Sequence, residues 1–416
     1  MVLLIQAAPL GAIVALLARG TEPLRAILVA LALAVPAAAV SVPDTGGLAD
    51  LLVEETARGA WLALQPVAIT LAGLLFHGAV SARPRTAPGS RPADHATLFT
   101  VCLLLGPFFE TVTGFGVGAV FALGDLRAIG VVGAPAAALS LLSQVLIPWG
   151  GLGPGTLLGA ALAGVELRAL GSWNAALSAL WLPTLLPVFW RLASEAGLPA
   201  DASDRRDDGL ALLALGVLLI LANLVSTVEV AGLLALGPVL AWRLRHAVRR
   251  PGALRTALPY LGLATLLLAS RLVPGAAEAL TGTAVLRPWP DLPGFALLHH
   301  PSVLLALAAV TVLSGVSGRR RILCETARRA ASPSALMLGY VVLARLLGGS
   351  GAATALARAL AAGSGPALPF VLAVLGAAGG FFAATNVGSN SILMPIQAAL
   401  APETGLPAPF VAAAQH

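Results

Sequence analysis

The 416-residue sequence contains no lysine, and only 11% of it is charged. Charged residues make up about a quarter of a typical soluble domain. A chain this poor in charge lacks the polar groups to cover a water-soluble fold. Disorder, a collagen-like repeat and an ordinary cytosolic enzyme are excluded on the same ground. Cysteine is nearly absent too: Cys102 lies in an apolar run and Cys324 in a basic loop. That excludes a disulfide scaffold, and neither residue has metal-ligand spacing. There is no His-x-x-x-His pair, no His/Asp/Glu cluster and no Ser/His/Asp set. An enzyme is therefore not expected, and no cofactor or metal is called for.

What is present is apolar. Hydrophobic residues make up 58% of the chain, and the mean hydropathy is +0.91. The composition predicts an all-α polytopic membrane protein with about a dozen transmembrane helices, since each needs about 20 residues. Helices are the default because lipid leaves no partner for open backbone groups. Two of the apolar stretches, 152–165 and 388–400, are short for a bilayer and read as half-helices or re-entrant segments. The apolar N-terminus reads as a first span, not a cleaved leader. The all-arginine basic set, with rich Ala, Gly and Pro, is the composition of a GC-rich bacterial genome; a helical polytopic protein of such an organism is expected in the inner membrane.

The net charge of +6 does not point to nucleic acid, because the arginines sit in short loops between apolar runs. Loops 19–25, 81–95, 243–255 and 318–329 hold 15 of the 25 basic residues. Loops 41–58 and 272–296 are acidic. The positive-inside rule puts the first set in the cytoplasm and the second outside. Asp125 and Arg127 fit a tight turn on the outer side. The hydrophilic stretch 193–208 reads as a cytoplasmic linker between an N-terminal membrane half, 1–192, and a C-terminal half, 209–416.

Polar residues within apolar segments need a reason. One cluster runs from Pro107 to Gly118, with Glu110, Thr111, Thr113, Gly114, Gly116 and Gly118. The other runs from Gly379 to Ser391, with Thr385, Asn386, Ser389 and Asn390, followed by Pro395 and Gln397. Both open on Phe-Phe and both break an apolar run with glycine and small polar residues. Paired interruptions in two pseudo-repeats point to a transporter site between them. The helix ends made by such breaks suit a carboxylate. Arg345 is the one cation near such a site.

At these clusters the sequence resembles the bacterial L-lactate permease family. The early motif of that family falls on Phe108-Phe109-Glu110 and Gly114-Phe115-Gly116. The late motif falls on Phe381 to Asn390, and the family Gln on Gln397. Two departures stand out. The family Asp of the late motif is Asn386 here, and relatives continue beyond Gln415-His416 through a Gly-rich motif and a further span. The resemblance implies proton-coupled uptake of lactate or a related small 2-hydroxy monocarboxylate. It implies a proton-coupling role for Glu110 and substrate contacts from Thr113, Gly114, Phe115, Gly116, Thr385, Asn386, Ser389, Asn390 and Gln397. The expected partners are a small organic anion, protons and the lipid bilayer, with no nucleic acid; the oligomeric state is open. The alternatives are a carrier for a dicarboxylate or sulfonate, and a shortened, non-transporting relative.

Overall fold

A computed structural model describes residues 1–42, 47–83, 93–114, 116–245, 253–383 and 385–416. The chain is an all-α polytopic membrane protein. Among the described residues the sole sheet is one short hairpin, β1 (Val285–Leu286) against β2 (Phe295–Ala296). Large apolar side chains stand on the outside, among them Leu180, Val225, Phe370 and Phe381. A lipid-facing surface requires this and a water-facing one forbids it.

Among the described residues six helical stretches are long and apolar enough to cross a bilayer: Leu48–Ser81, His95–Thr113, Leu167–Glu195, Ala202–Val225, Arg319–Gly349 and Ala352–Ala383. A seventh results if Leu258–Leu272 and Pro274–Gly282, bent by 84°, form one span. Four shorter apolar helices, Val2–Ala18, Pro23–Ala39, Pro154–Ala163 and Pro301–Ser314, add to the apolar stretches counted in the sequence. Several of those are half-length helices, because glycine and proline interrupt them.

The helices are named in chain order. Helices α1 (Val2–Ala18) and α2 (Pro23–Ala39) form a hairpin beside the long α3 (Leu48–Ser81). Next come α4 (His95–Phe99), a π-helical stretch (Thr100–Leu105) and α5 (Gly106–Thr113), which run on as one rod. After a break come α6 (Val117–Ala128) and α7 (Gly133–Leu141). An irregular stretch with short 3-10 turns leads to α8 (Pro154–Ala163). Then follow α9 (Leu167–Trp181), α10 (Leu186–Glu195), α11 (Ala202–Val225) and α12 (Val228–Leu244). The C-terminal part holds α13 (Ala253–Leu272), α14 (Pro274–Gly282), α15 (Pro301–Ser314), α16 (Arg319–Gly349), α17 (Ala352–Ser364), α18 (Leu368–Ala383), α19 (Asn386–Thr404) and α20 (Ala408–Ala413).

The frame is the antiparallel pair α3 and α16. A Cβ at Gly59 would lie 2.8 Å from the Val342 Cα, so glycine permits the close approach. At the other end Gly78 faces Ile322 and Thr326. The C-terminal end of α3, which leads into loop 81–95, therefore lies beside the Arg-rich start of α16. At the opposite end Arg58 binds Asp291 at 2.6 Å, and the Trp61 indole donates to the Pro293 carbonyl. The two acidic loops therefore meet. Its hydrogen bond with Arg58 holds the Asp291 carboxyl below the usual carboxylate range.

Two expectations change. The stretch 193–208 is only partly linker: α11 begins at Ala202, where Asp201 and Asp204 form a capping box. Asp208 is fully buried in it. The Asp208 carboxylate accepts His95 Nε2 at 2.9 Å, Trp190 Nε1 at 3.0 Å and Arg243 Nη2 at 2.7 Å. His95 Nδ1 sits 3.0 Å from the Leu198 carbonyl, so this network ties α4, α10, α11 and α12 together. The turn at Asp125 and Arg127 also moves. Helix α6 doubles back along α5 and the π-helical stretch, and Leu126 shares a core with Phe99. Its end thus returns to the Arg-rich side, because the break at Gly114 and Gly116 reverses the chain.

Candidate functional site: two helical hairpins around a broken segment

The early cluster folds as a hairpin of α5 and α6. Gly114 has φ +73° and ψ −171°, and Gly116 has φ +77°. A side chain is strained in either conformation. The reversal also needs room: a Cβ at Gly114 would lie 2.7 Å from the Gly151 Cα, and one at Gly118 would collide with the Gly106 carbonyl and with Glu110. Glu110 is 5% exposed. Its Oε1 accepts the Gly116 N–H at 3.1 Å. Its Oε2 accepts the Gly118 N–H at 3.0 Å and the Gln144 side-chain amide at 3.2 Å. The carboxylate thus occupies the positive N-terminal end of α6, where a negative charge is favoured. That helix end is already filled by the protein's own anion. Thr111 and Thr113 donate to the Pro107 and Phe109 carbonyls of their own helix. Phe115 lies outside the described residues.

The late cluster folds as a second hairpin, α18 with α19. Gln397 donates to the Leu372 carbonyl at 2.9 Å, which fixes the antiparallel pairing. Thr385 is the N-cap of α19, its hydroxyl accepting the Gly388 N–H at 3.0 Å. Ser389, Asn390 and Gln397 are buried. Asn390 donates to the Gly155 carbonyl at 2.9 Å. Ser389 accepts from Gln415 at 2.7 Å, and Gln397 donates to Gln415 at 3.1 Å.

The two hairpins meet at the segment 147–159. Glycines 150 and 151 lie against Glu110 and Gly114, while Gly155 and Gly159 lie against Asn386 and Asn390. Helices α8 and α19 run in parallel with their N-termini together. The stretch from Gly151 to Gly153 has three consecutive positive φ values, including Leu152 at +69°. This broken segment joins the two motifs, and it includes the start of the stretch 152–165 that the sequence marked as a half-helix.

Beside the junction is a cavity of about 350 Å³, lined by Gln144, Pro148, Asn174, Ser178, Trp181 and His416 among others. Gln144 connects it to Glu110, and His416 lies 3.3 Å from the Asn390 amide. Asn174 is 2% exposed, and neither its Nδ2 nor its Oδ1 has a hydrogen-bond partner. Asn386 Nδ2 and Asn390 Oδ1 are also unsatisfied. Buried amides without partners are uncommon and mark a place where a polar ligand or water belongs. Gln144 and Asn174 were missed in the sequence. Each is a single amide in an apolar stretch, without the run of glycines and hydroxyl residues that marks the Glu110 cluster.

Arg345 is engaged elsewhere. It grips Glu55 with two hydrogen bonds, at 2.7 and 3.1 Å. No group of three or more His, Cys, Asp or Glu able to hold a metal occurs among the described residues.

Apolar half-helices that break at polar, buried sites inside a membrane-spanning bundle are the arrangement in which membrane transporters build their substrate sites. The L-lactate permease family model matches residues 280–416, which contain α16 and the whole α18–α19 hairpin. The matched family is one of transporters and not of enzymes. The match bears out the resemblance carried by the late motif. No curated protein matches the chain.

Proposed function

We propose that the protein is a secondary carrier that takes up lactate, or a related small 2-hydroxy monocarboxylate, together with a proton across the bacterial inner membrane. The observation that carries this reading is the pairing of one buried carboxylate, Glu110, with a cavity that Gln144 connects to it and whose lining includes the unsatisfied amide of Asn174. Glu110 is the proton-coupling group. As a carboxylate it holds the N-terminus of α6 through Gly116 and Gly118. On protonation it surrenders part of that grip, because a carboxylic acid accepts more weakly than a carboxylate. The α5–α6 hairpin is then released to move against the α18–α19 hairpin. Co-transport of a proton makes the cycle electroneutral, sparing about 2.3 kcal/mol per 100 mV of membrane potential.

Asn174 suits the substrate. Its NH2 group donates to a carboxylate and its oxygen accepts from a 2-hydroxyl. Gln144 lies between this position and Glu110, so it links substrate binding to the proton site. Thr113, Gly114, Gly116, Thr385, Asn386, Ser389, Asn390 and Gln397 belong to the two hairpins, which touch the cavity lining through Glu110–Gln144 and Asn390–His416, and Phe115 joins them in the early motif. In this reading they set its shape and contribute contacts as the hairpins move. A dicarboxylate is disfavoured because Arg345 is already paired with Glu55.

The test is radiolabelled L-lactate uptake into proteoliposomes, with and without an inward proton gradient, in competition with unlabelled L-lactate, acetate, succinate and a sulfonate. Gradient-stimulated uptake blocked by L-lactate and not by succinate or the sulfonate is the expected result. Absence of uptake in correctly reconstituted vesicles overturns the assignment.

A further inference from the structure

Four arginine side chains among the described residues are at most 19% exposed and face a carboxylate: Arg58, Arg243, Arg271 and Arg345. Three hold that carboxylate at 2.6 to 2.7 Å. Arg271 does not. Its side chain is fully buried, yet the nearest carboxylate oxygen, Glu229 Oε2, stands 4.0 Å from Nε. Its Nη1 donates to Ser270 Oγ and its Nη2 to the His299 carbonyl at 2.8 Å. Its Nε has no hydrogen-bond partner, and neither has the buried Nδ1 of His299, the residue whose carbonyl Arg271 grips. Leaving a buried charged donor unsatisfied is expensive. Glu229 is in the first turn of α12, whose N-cap Thr227 provides no side-chain cap. A guanidinium, a ring nitrogen and an uncapped helix end therefore lie together.

We propose that Arg271 and His299 form a second anion-binding subsite, specific for a small monocarboxylate, on the side of the acidic loops. The incoming carboxylate takes Arg271 Nε, and Glu229, which is 16% exposed, gives way toward solvent. The facing Glu229 carboxylate penalises a dianion more than a monoanion, since three negative charges rather than two would then stand around one guanidinium. The subsite lies close to the central junction. Val228, next to Glu229, packs on Gly153, and Gly150 three residues earlier lies against Glu110. Its role as an entry station rests on the carrier reading above; its affinity for a carboxylate does not.

The test is thermal unfolding of the purified full-length protein, titrated with sodium acetate, sodium L-lactate and neutral lactamide at constant ionic strength. Acetate and lactate are expected to stabilise the protein, and lactamide is not. Arg271→Gln raises the half-saturating acetate concentration at least tenfold. Glu229→Gln, which removes the competing carboxylate, lowers it several-fold. The proposal is overturned if acetate has no effect on wild type, or if Arg271→Gln and Arg271→Lys both respond as wild type. Should neither Arg271 variant fold, Glu229→Gln decides: an unchanged or weakened acetate response overturns it. An Arg271-dependent acetate response in a protein that fails to transport lactate leaves the subsite standing and removes the carrier reading.

Discussion

Replacing Gly114 by alanine tests whether the α5–α6 reversal is as tight as its geometry indicates. Gly114 has φ +73° and ψ −171°, a region essentially reserved for glycine. Placing a side chain there costs about 1–3 kcal/mol. The new Cβ also lies 2.7 Å from the Gly151 Cα, a backbone atom that cannot rotate away. Overpacking of that kind costs about 1–3 kcal/mol more. Gly116 is the internal control. Its φ is +77°, but a Cβ there meets nothing within 4 Å, so only the left-handed cost of about 1–2 kcal/mol applies. Equilibrium unfolding in mixed micelles, with increasing denaturing detergent, measures both variants. Gly114→Ala should lose two to three times as much stability as Gly116→Ala. Equal losses would refute the packing of the hairpin tip on the 150–151 backbone.

Three other outcomes follow from buried charges. Asp208→Asn removes the acceptor shared by His95, Trp190 and Arg243 and should destabilise the protein by about 3–5 kcal/mol in the same unfolding assay. Arg345→Ala strands Glu55 and should cost about 2 kcal/mol, after allowance for partial exposure, while the KM for lactate changes less than twofold; a tenfold rise in KM would put Arg345 on the substrate instead. His300 caps α15, and burial first, then the nearby Arg271 and His299, hold its pKa down at about 4. The unfolded chain therefore binds the extra proton first, and stability should fall as pH drops from about 6.5 to about 4. His300→Asn, which keeps a capping side chain, should flatten that slope, as thermal unfolding across the window would record.

The sequence made the fold class legible because hydropathy and charge scarcity leave a single solvent for the outside. It also exposed both hairpins, since Glu110 and the Thr385–Asn390 run interrupt apolar stretches with glycine close by. The short stretch at 152–165 marked α8 for the same reason. Partners in space were not legible. Nothing local distinguishes Arg345 bound to Glu55 from an arginine waiting for a substrate, because the two lie 290 positions apart. Asp208 sits in a run of charged residues that reads as a solvated loop, yet one turn of helix carries it into the core. Asn174 gave little warning, since a lone amide becomes conspicuous only when its neighbours leave it unpaired.

In the proposed cycle Glu110 carries the coupled proton. Exchange of internal for external lactate needs no net proton movement, whereas accumulation driven by a proton gradient does. In proteoliposomes, Glu110→Gln, a permanently neutral side chain, should retain lactate counterflow within a few-fold of wild type and lose gradient-driven accumulation. Accumulation that survives in Glu110→Gln would contradict the claim.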